Sequence, residues 1–125
     1  RMEKSLLGPH GAVFARRVFG PAEQAALGLP LAEEEDTARR TAHTVASAAA
    51  DFAAKEAFLK AAGTGLREPF SLCEIEAVRL PGGAPAYHFS GRSAQWVEVR
   101  RLRAHLSLSH EDGMAMAYCI LETET

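Results

Sequence analysis

The order of the predicted elements places this sequence in the α+β class. Helical patterns fill most of its first half, and short strand patterns separated by turns fill most of its second half. Helices and antiparallel strands that are segregated along a chain favour this class over a doubly wound parallel sheet. Two local signals are strong: residues 37–62 are alanine-rich without Gly or Pro, and Asp112-Gly113 lies between two strand patterns. We therefore predict a small antiparallel sheet packed against one long, buried helix.

Length and composition exclude several classes of protein. The chain has 125 residues, 47% hydrophobic and 24% charged, so residues 1–125 are expected to form one globular domain. Its net charge of −2 argues against a general nucleic-acid binder. It contains no apolar run long enough to span a bilayer and no signal peptide, which predicts a cytoplasmic protein without membrane contact. Cys73 and Cys119 are interpreted as buried, reduced thiols, because they lie far apart in apolar surroundings.

The first half of the chain reads as helices joined by short breaks. Met2–Leu7 is predicted to be a short helix, and residues 13–19 form a mainly apolar stretch whose type the pattern leaves open. Pro21–Leu27 is predicted to be helical, because it carries Pro at the first position and Glu23 in the first turn. Residues 28–36 include an acidic run and are interpreted as a surface loop or the start of a helix. The long helix follows.

The second half reads as two hairpins around a short helix. Residues 72–80 alternate, with Glu74 and Glu76 on one side and apolar residues on the other, which is typical of a strand. The remaining predicted elements are a turn at residues 81–83, a strand at 86–90, a short helix at 93–101 with Trp96, a strand at 104–110, a tight turn at 111–113 and a wholly apolar strand at 114–121.

The long helix carries a carboxylate and a lysine on an otherwise apolar surface. With about 100° of rotation per residue from Phe52, apolar side chains spread nearly all the way round, whereas Glu56 falls at about 40° and Lys60 at about 80°. A semi-buried carboxylate is costly unless it meets a cation, a metal or its own lysine. Two interpretations follow: a plain i,i+4 ion pair worth only about a few tenths of a kcal/mol, or a site for a metal or cation.

Three further features each allow two interpretations. Gly63-Thr64-Gly65 is either a helix C-cap followed by a turn or a loop whose N–H groups meet an anion. His110 ends a strand pattern and is either structural or a titratable group at a cleft. Arg16-Arg17, with Arg1 and Lys4 nearby, form either a solvated surface or a docking face for an acidic protein. No glycine-flanked serine nucleophile of the hydrolase type occurs, and no histidine stands at metal-ligand spacing from His110.

The segment from Phe52 to Gly65, with the sequence FAAKEAFLKAAGTG, is long and specific. It resembles the signature of the holo-acyl-carrier-protein synthases, the small single-domain branch of the 4′-phosphopantetheinyl transferases. The resemblance covers essentially the whole chain, because four other segments also look like blocks of this family. They are RMEK at residues 1–4, FARRVF at 14–19, CEIE at 73–76 with GAP at 83–85, and SLSH at 107–110.

The resemblance implies the 4′-phosphopantetheinyl transferase fold, a homotrimer, and an Mg²⁺-dependent activity. That activity is transfer of the 4′-phosphopantetheine group from coenzyme A to a serine of apo-acyl-carrier protein, with release of adenosine 3′,5′-bisphosphate, as in fatty-acid biosynthesis. The resemblance assigns site residues as follows: Glu56 as the metal ligand, Lys60 near the pyrophosphate, Gly63, Thr64 and Gly65 along the nucleotide, and His110 in the cofactor cleft. Arg1, Arg16 and Arg17 are expected to face the acidic helix of the carrier protein, because the net charge of −2 would otherwise repel such a partner.

The sequence departs from the family at three places. Family members open with a strand that ends in an aspartate, the second metal ligand, and no residue here stands for it. The chain begins at Arg1 with Met second, just after the place of that strand, which predicts that the first residues are missing. Asp51 replaces a usually basic residue, so one phosphate contact is expected to be lost or moved. Residues 28–44 look longer than usual.

A second function stays open at this point. A non-catalytic module that binds acyl-carrier protein would keep the basic face and lack a complete metal site. An upstream Gly-x-Asp strand in frame would favour the enzyme, and its absence would favour the binding module.

Overall fold

The computed structural model of the chain describes residues 1–29 and 38–124. Within them, helices and strands follow in the order α1 Met2–Leu7, α2 Gly11–Val18, α3 Pro21–Leu27, α4 Ala38–Ala62, β1 Ile75–Arg79, β2 Pro85–Phe89, α5 Gly91–Val99, β3 Leu102–Glu111 and β4 Met114–Thr123. The strands form two antiparallel pairs, β1 with β2 and β3 with β4. The predicted α+β class is confirmed, and its antiparallel strands form two hairpins.

The helices of the first half agree closely with the sequence pattern. Helices α1 and α3 have the predicted bounds, and α4 ends at Ala62, as the glycine at position 63 predicts. The stretch at residues 13–19 belongs to helix α2, whose apolar residues Phe14, Ala15 and Val18 repeat at helical spacing. The acidic run at residues 33–36 lies outside the described residues.

The β3–β4 hairpin turns where the Asp-Gly pair predicts it. Asp112 and Gly113 both have positive φ, 51° and 75°, and Glu111 pairs with Met114. Two consecutive left-handed residues match the right-handed twist of the flanking strands in a two-residue turn. This hairpin packs against α4 and forms one wall of the groove described below.

The strand predicted for residues 72–80 is partly wrong. Leu72–Glu74 forms a 3₁₀ turn, and only Ile75–Arg79 is a strand. Glu76 is buried. Glu74 and Glu76 both accept hydrogen bonds at helix N-termini. Glu74 Oε1 accepts from the Ser93 N–H at 3.2 Å, near the start of α5, and Glu76 Oε2 accepts from the Glu23 N–H at 2.8 Å in the first turn of α3. Carboxylates are stabilised at such positions by the unpaired N–H groups and the helix dipole.

An aromatic cluster fixes the C-terminal half of α4. The buried ring of Phe58 lies with its centroid 4.8 Å from that of Phe89 and 5.4 Å from that of Phe70. A second cluster, Leu6, Val18, Phe19, Leu27 and Ala48, packs α1, α2 and α3 against the N-terminal half of the helix. The side of α4 that carries Glu56 and Lys60 is exposed, so the prediction of a helix buried all round is wrong for that side.

The two cysteines are less buried than predicted. Cys73 and Cys119 are free thiols, but both are half-buried rather than buried, and Cys119 faces a groove. No helix among the described residues is both long enough and apolar enough to cross a membrane.

Candidate active site

Glu56 and Lys60 lie on one wall of a groove of about 480 Å³ between α4 and β4. The α4 wall is otherwise made of small side chains, Ala53, Ala57 and Ala61, and the facing wall is Ala117, Tyr118 and Cys119 of β4. Alanines leave the groove open, so both charged side chains can reach a ligand in it. The expected semi-burial of Glu56 is wrong, because its carboxylate is exposed at the groove.

Glu56 also borders a second cavity, of about 340 Å³, on the side of α1 and α2. That cavity is lined by Arg1, Met2, Ser5, Phe14, Ala49 and Phe52 together with Glu56. Glu56 therefore lines both cavities, and its side chain is exposed. Among the residues that the structure describes, Glu56 and Lys60 form no ion pair, so the plain i,i+4 pair is not observed.

Lys55, the residue before Glu56, has the opposite surroundings. Its side chain is fully buried, and Nζ donates hydrogen bonds to Glu23 Oε1 at 2.5 Å, to the Ile75 carbonyl at 2.6 Å and to the Leu72 carbonyl at 3.1 Å. These three bonds tie α4 to α3 and to the start of β1. Since Glu56 follows directly in the same helix, this link fixes the rotation of α4 that turns Glu56 toward the groove.

Glu23 completes this buried link. Its Oε1 also accepts from the Gly20 N–H, and its Oε2 accepts from the Ala77 N–H at 2.9 Å. Burial raises the pKa of Glu23 and lowers the pKa of Lys55, and the charge of each partner opposes both shifts. A pair saturated with hydrogen bonds in this way acts as a rigid support.

Sequence reasoning missed Lys55 and its partners. On the helical wheel Lys55 falls at about 300°, between the buried residues Phe58 and Leu59, so its place on the apolar side was a usable signal. The sequence pattern gives no comparable signal for Glu23 and Glu76. The Glu23 N–H bonds to Glu76 across 53 residues of chain, and the Glu23 carboxylate accepts from Ala77 across 54.

The Gly63-Thr64-Gly65 loop begins directly after α4. Gly63 and Gly65 have positive φ of 80° and 64°, and the Gly63 N–H donates to the carbonyls of Leu59 and Lys60. The helix C-cap interpretation is therefore observed. A ligand role is compatible with it, since in the described part of the chain no atom beyond the adjacent residues would lie within 4 Å of a Cβ at either glycine. The loop starts one helical turn beyond Lys60.

His110 does not line the groove that holds Glu56 and Lys60. It is exposed at the end of β3, opposite Ala115 of β4 and next to the hairpin turn. Within one copy of the chain the structure therefore brings Glu56 and Lys60 together and leaves His110 outside their cavity.

The predicted basic residues divide between two places. Arg16 and Arg17 are exposed in the last turn of α2, as a docking face requires. Arg1 is also exposed but lines the cavity beside Glu56. Asp51 faces neither cavity: it lies in a cleft between α3, α4 and β1, so the structure gives no support for a phosphate contact at this position.

The donor set of the groove fits Mg²⁺ with a ligand that brings its own oxygens. Glu56 offers a carboxylate without a protein partner among the described residues, where no group of three His, Cys, Asp or Glu side chains is positioned to hold a metal. Mg²⁺ is commonly held by one or two carboxylates plus waters and substrate phosphates. Cys119 offers no reactive thiolate, because burial raises its pKa.

The outer face of β4 is a stripe of exposed apolar side chains. Met114, Tyr118 and Ile120 are each about two-thirds exposed, and Met116 lies between them on the same face. Every second residue of a strand points to the same side, so these four side chains form one continuous surface. A stripe of this kind marks an interaction surface.

Three comparisons relate the chain to known proteins. The sequence profile of the 4′-phosphopantetheinyl transferase superfamily matches residues 2–119. The chain is 39% identical over 123 residues to holo-[acyl-carrier-protein] synthase from Bordetella pertussis, covering 98% of this chain and 75% of that one. Its fold is similar to that of holo-[acyl-carrier-protein] synthase from Neisseria meningitidis, with a TM-score of 0.75, 30% identity, and coverage of 97% and 91%. It is also similar to the Bacillus anthracis synthase in complex with CoA (3′,5′-ADP), with a TM-score of 0.66, 30% identity, and coverage of 90% and 82%.

Proposed function

The chain belongs to the 4′-phosphopantetheinyl transferase superfamily, and we propose that it is a holo-[acyl-carrier-protein] synthase. It transfers the 4′-phosphopantetheine group from coenzyme A to a serine of apo-acyl-carrier protein. The observation that carries this proposal is the juxtaposition of Glu56 and Lys60 in an open groove, within a sequence similar to the synthases over nearly its whole length.

In this reaction the serine oxygen of the carrier protein forms a bond to the phosphorus that bears the pantetheine. The bond that breaks joins that phosphorus to the bridging oxygen of the pyrophosphate. Adenosine 3′,5′-bisphosphate leaves with the bridging oxygen, and the serine proton passes to a base. Negative charge grows on the departing phosphate, so positive groups placed beside it lower the barrier.

Glu56 is proposed to hold Mg²⁺ together with oxygens of the pyrophosphate. Its carboxylate is exposed and has no partner among the described residues, which supports this role, because none of those residues has to move before it binds a cation. When bound, Mg²⁺ supplies charge neutralisation at the phosphates. The buried Lys55 link holds the helix so that this carboxylate points into the groove.

Lys60 is proposed to bind the pyrophosphate from the same wall, one turn beyond Glu56. Gly63, Thr64 and Gly65 follow at the end of the helix, where open backbone can lie along the nucleotide. His110 is proposed to reach the nucleotide from a second copy of the chain, since within one copy it lies outside the groove. Arg16 and Arg17 attract the acidic carrier protein.

The assembly is proposed to be a homotrimer. The apolar stripe on β4 supports self-association, because an exposed surface of this length is unfavourable in water. Tyr118 belongs both to that stripe and to the groove lining, so association through β4 places the neighbouring subunit beside the groove. The cytoplasm is the compartment in which such an enzyme is expected to meet its two substrates.

The test is a mass-shift assay. Purified protein, apo-acyl-carrier protein, coenzyme A and Mg²⁺ are incubated, and the intact mass of the carrier protein is measured. We expect gain of one phosphopantetheine on the serine, loss of the reaction when EDTA replaces Mg²⁺, and its recovery with added Mg²⁺. Carrier protein that is bound but never modified would instead identify a non-catalytic binding module and overturn the proposal.

A further inference from the structure

A separate cleft of about 420 Å³ opens between α3, α4 and β1. Asp51 lines it from α4. Asp51 lies five positions before Glu56, which is about 140° around the helix, so the cleft lies on another side of α4 from the groove. Its walls are mainly small apolar side chains, including Ala22, Leu27 and Val78. Its polar lining consists of Ser47, Asp51 and Arg79, an arrangement typical of a small-molecule site.

Asp51 lacks the partners that the neighbouring carboxylates have. It is 6% exposed, yet among the described residues it makes no side-chain hydrogen bond or ion pair. Glu23 accepts three hydrogen bonds, and Glu76 accepts from the Glu23 N–H and contacts His88 at 3.3 Å. Within the same described residues, every fully enclosed side-chain oxygen has a hydrogen-bond partner. Since the carboxylate oxygens of Asp51 have none, they are not fully enclosed and still reach the cleft. Burial without a partner is costly, and a ligand that donates hydrogen bonds relieves that cost.

The charges around Asp51 narrow the chemistry of the ligand. Arg79 lines the cleft with an exposed side chain and brings positive charge to its mouth, where it would repel a simple cation. A ligand with an ammonium group and a carboxylate satisfies Asp51 and Arg79 together. Glu23, Glu76 and Lys55 also act on Asp51, but Glu23 and Lys55 pair with each other, and Glu76 accepts from the Glu23 N–H and contacts His88.

We propose that this cleft binds a small zwitterion, with its ammonium on Asp51, its carboxylate on Arg79 and an apolar body against α3 and β1. The proposal does not depend on the transferase activity. No covalent step is involved, and the only contacts required are one hydrogen-bonded charge pair at each end and apolar burial between them.

The test uses L-phenylalanine as the probe and two matched compounds that each lack one charge. Phenethylamine lacks the carboxylate, and 3-phenylpropanoate lacks the ammonium. Binding is followed by amide NMR shifts of the full chain at Ala77 and Val78 of β1. We expect saturable shifts with L-phenylalanine and affinity about tenfold weaker for either control compound, since each loses one charge-assisted pair.

Two charge variants assign the two ends of the ligand. In Asp51→Asn the ammonium has no partner, so L-phenylalanine should bind no better than 3-phenylpropanoate does. In Arg79→Gln the carboxylate has no partner, so L-phenylalanine should bind no better than phenethylamine does. The same spectra show whether each variant is folded. Should Asp51→Asn fail to fold, Ala22→Leu narrows the cleft from α3 and should abolish the shifts. Absence of saturable shifts in the natural chain, or unchanged affinity in a folded Asp51→Asn or Ala22→Leu, overturns the proposal.

A pH series gives an independent readout. Burial and the nearby negative charge of Glu23 raise the pKa of Asp51 to about 7, against the opposing charges of Arg79 and Lys55. At pH 6 about one molecule in ten then carries the ionised carboxylate, so affinity for L-phenylalanine should fall about tenfold between pH 8 and pH 6. Constant affinity over this range would show that the ammonium does not pair with Asp51.

Discussion

Lys55 and Glu56 are consecutive residues of α4 with opposite surroundings: the Lys55 ammonium is fully buried against Glu23, whereas the Glu56 carboxylate is exposed at the groove. One of the two charges orients the helix, and the other is free to meet a ligand. In the sequence, Lys55, which anchors the helix, is followed directly by Glu56, the residue that it positions.

Lys55→Met should therefore destabilise the fold strongly. Removal of one partner of a buried ion pair leaves the other charge uncompensated, at a cost of about 3–5 kcal/mol. Urea unfolding at fixed protein concentration measures the free energy of unfolding. Lys60→Met, in the same helix but exposed, is the matched control and should change it by only about 0.5 kcal/mol. Equal effects of the two variants would contradict the supporting role of Lys55.

Glu56→Gln should lower the transfer rate by about 10² or more without unfolding the protein. The change keeps the shape of the side chain and removes the charge that we propose to hold Mg²⁺. Initial rates over a series of Mg²⁺ concentrations measure the effect, with Glu3→Gln, at an exposed position of α1, as a control. A variant with nearly normal rate and unchanged Mg²⁺ dependence would remove Glu56 from the metal site.

Arg17→Glu should raise the KM for carrier protein and leave the KM for coenzyme A nearly unchanged. The chain carries a net charge of −2, so attraction of an acidic partner has to come from a local basic patch. Steady-state kinetics with each substrate varied in turn separate the two constants, and added salt should weaken the carrier-protein step. Arg92→Glu, an exposed arginine on α5, controls for net charge. A rise in both KM values by the same factor would argue against docking at Arg17.

Ile120→Glu should prevent the proposed trimer from forming. The side chain of Ile120 is 65% exposed on the outer face of β4, so a charge is tolerated in the monomer and is costly once a subunit covers it. Light scattering coupled to gel filtration gives the mass in solution. Val99→Glu places the same charge on another exposed apolar residue away from the stripe and should leave the trimer intact. A natural chain that is an active monomer at low concentration would refute the assembly.

Asp51→Asn should stabilise the protein at pH 8 and lose that advantage in acid. The folded-state pKa of Asp51 is raised from 3.8 to about 7, so the folded state holds this proton more strongly than the unfolded state. The stability that the protonated group contributes is complete below about pH 4 and is lost as the pH rises through 7, a penalty on the order of 4 kcal/mol. We expect the variant to gain at least about 1 kcal/mol at pH 8 in urea unfolding. Asp112→Asn, in the exposed turn, should show no such pH dependence.

Local signals predicted most of the fold. The Gly-Pro break after Leu7, the proline that starts α3 and the Asp112-Gly113 turn each act on adjacent backbone, so the chain itself carries the information. The strand predicted at residues 72–80 is partly wrong, because the glutamates there accept hydrogen bonds from the N-termini of helices elsewhere in the chain. Alternation alone cannot distinguish a carboxylate facing water from one facing the N–H groups of a distant helix.

The candidate site was predictable only in part. The spacing of Glu56 and Lys60 placed both on one strip of the helix, and they share a groove. The semi-burial expected for Glu56 is wrong, because a helical wheel shows which residues lie together but not which side faces the core. The cleft at Asp51 could not be predicted, because its walls come from three elements that only tertiary packing brings together.

The link between Glu23 and β1 also bears on how the chain folds as it is synthesised. Glu23 and Lys55 leave the ribosome before Ala77, whose N–H satisfies one oxygen of Glu23 across 54 residues of chain. Until β1 has been made, the charges of α3 and α4 lack part of the environment that makes their burial favourable. We therefore expect stable docking of the helical half to require the first strand, because the Glu23 carboxylate has all its hydrogen bonds only when β1 is present.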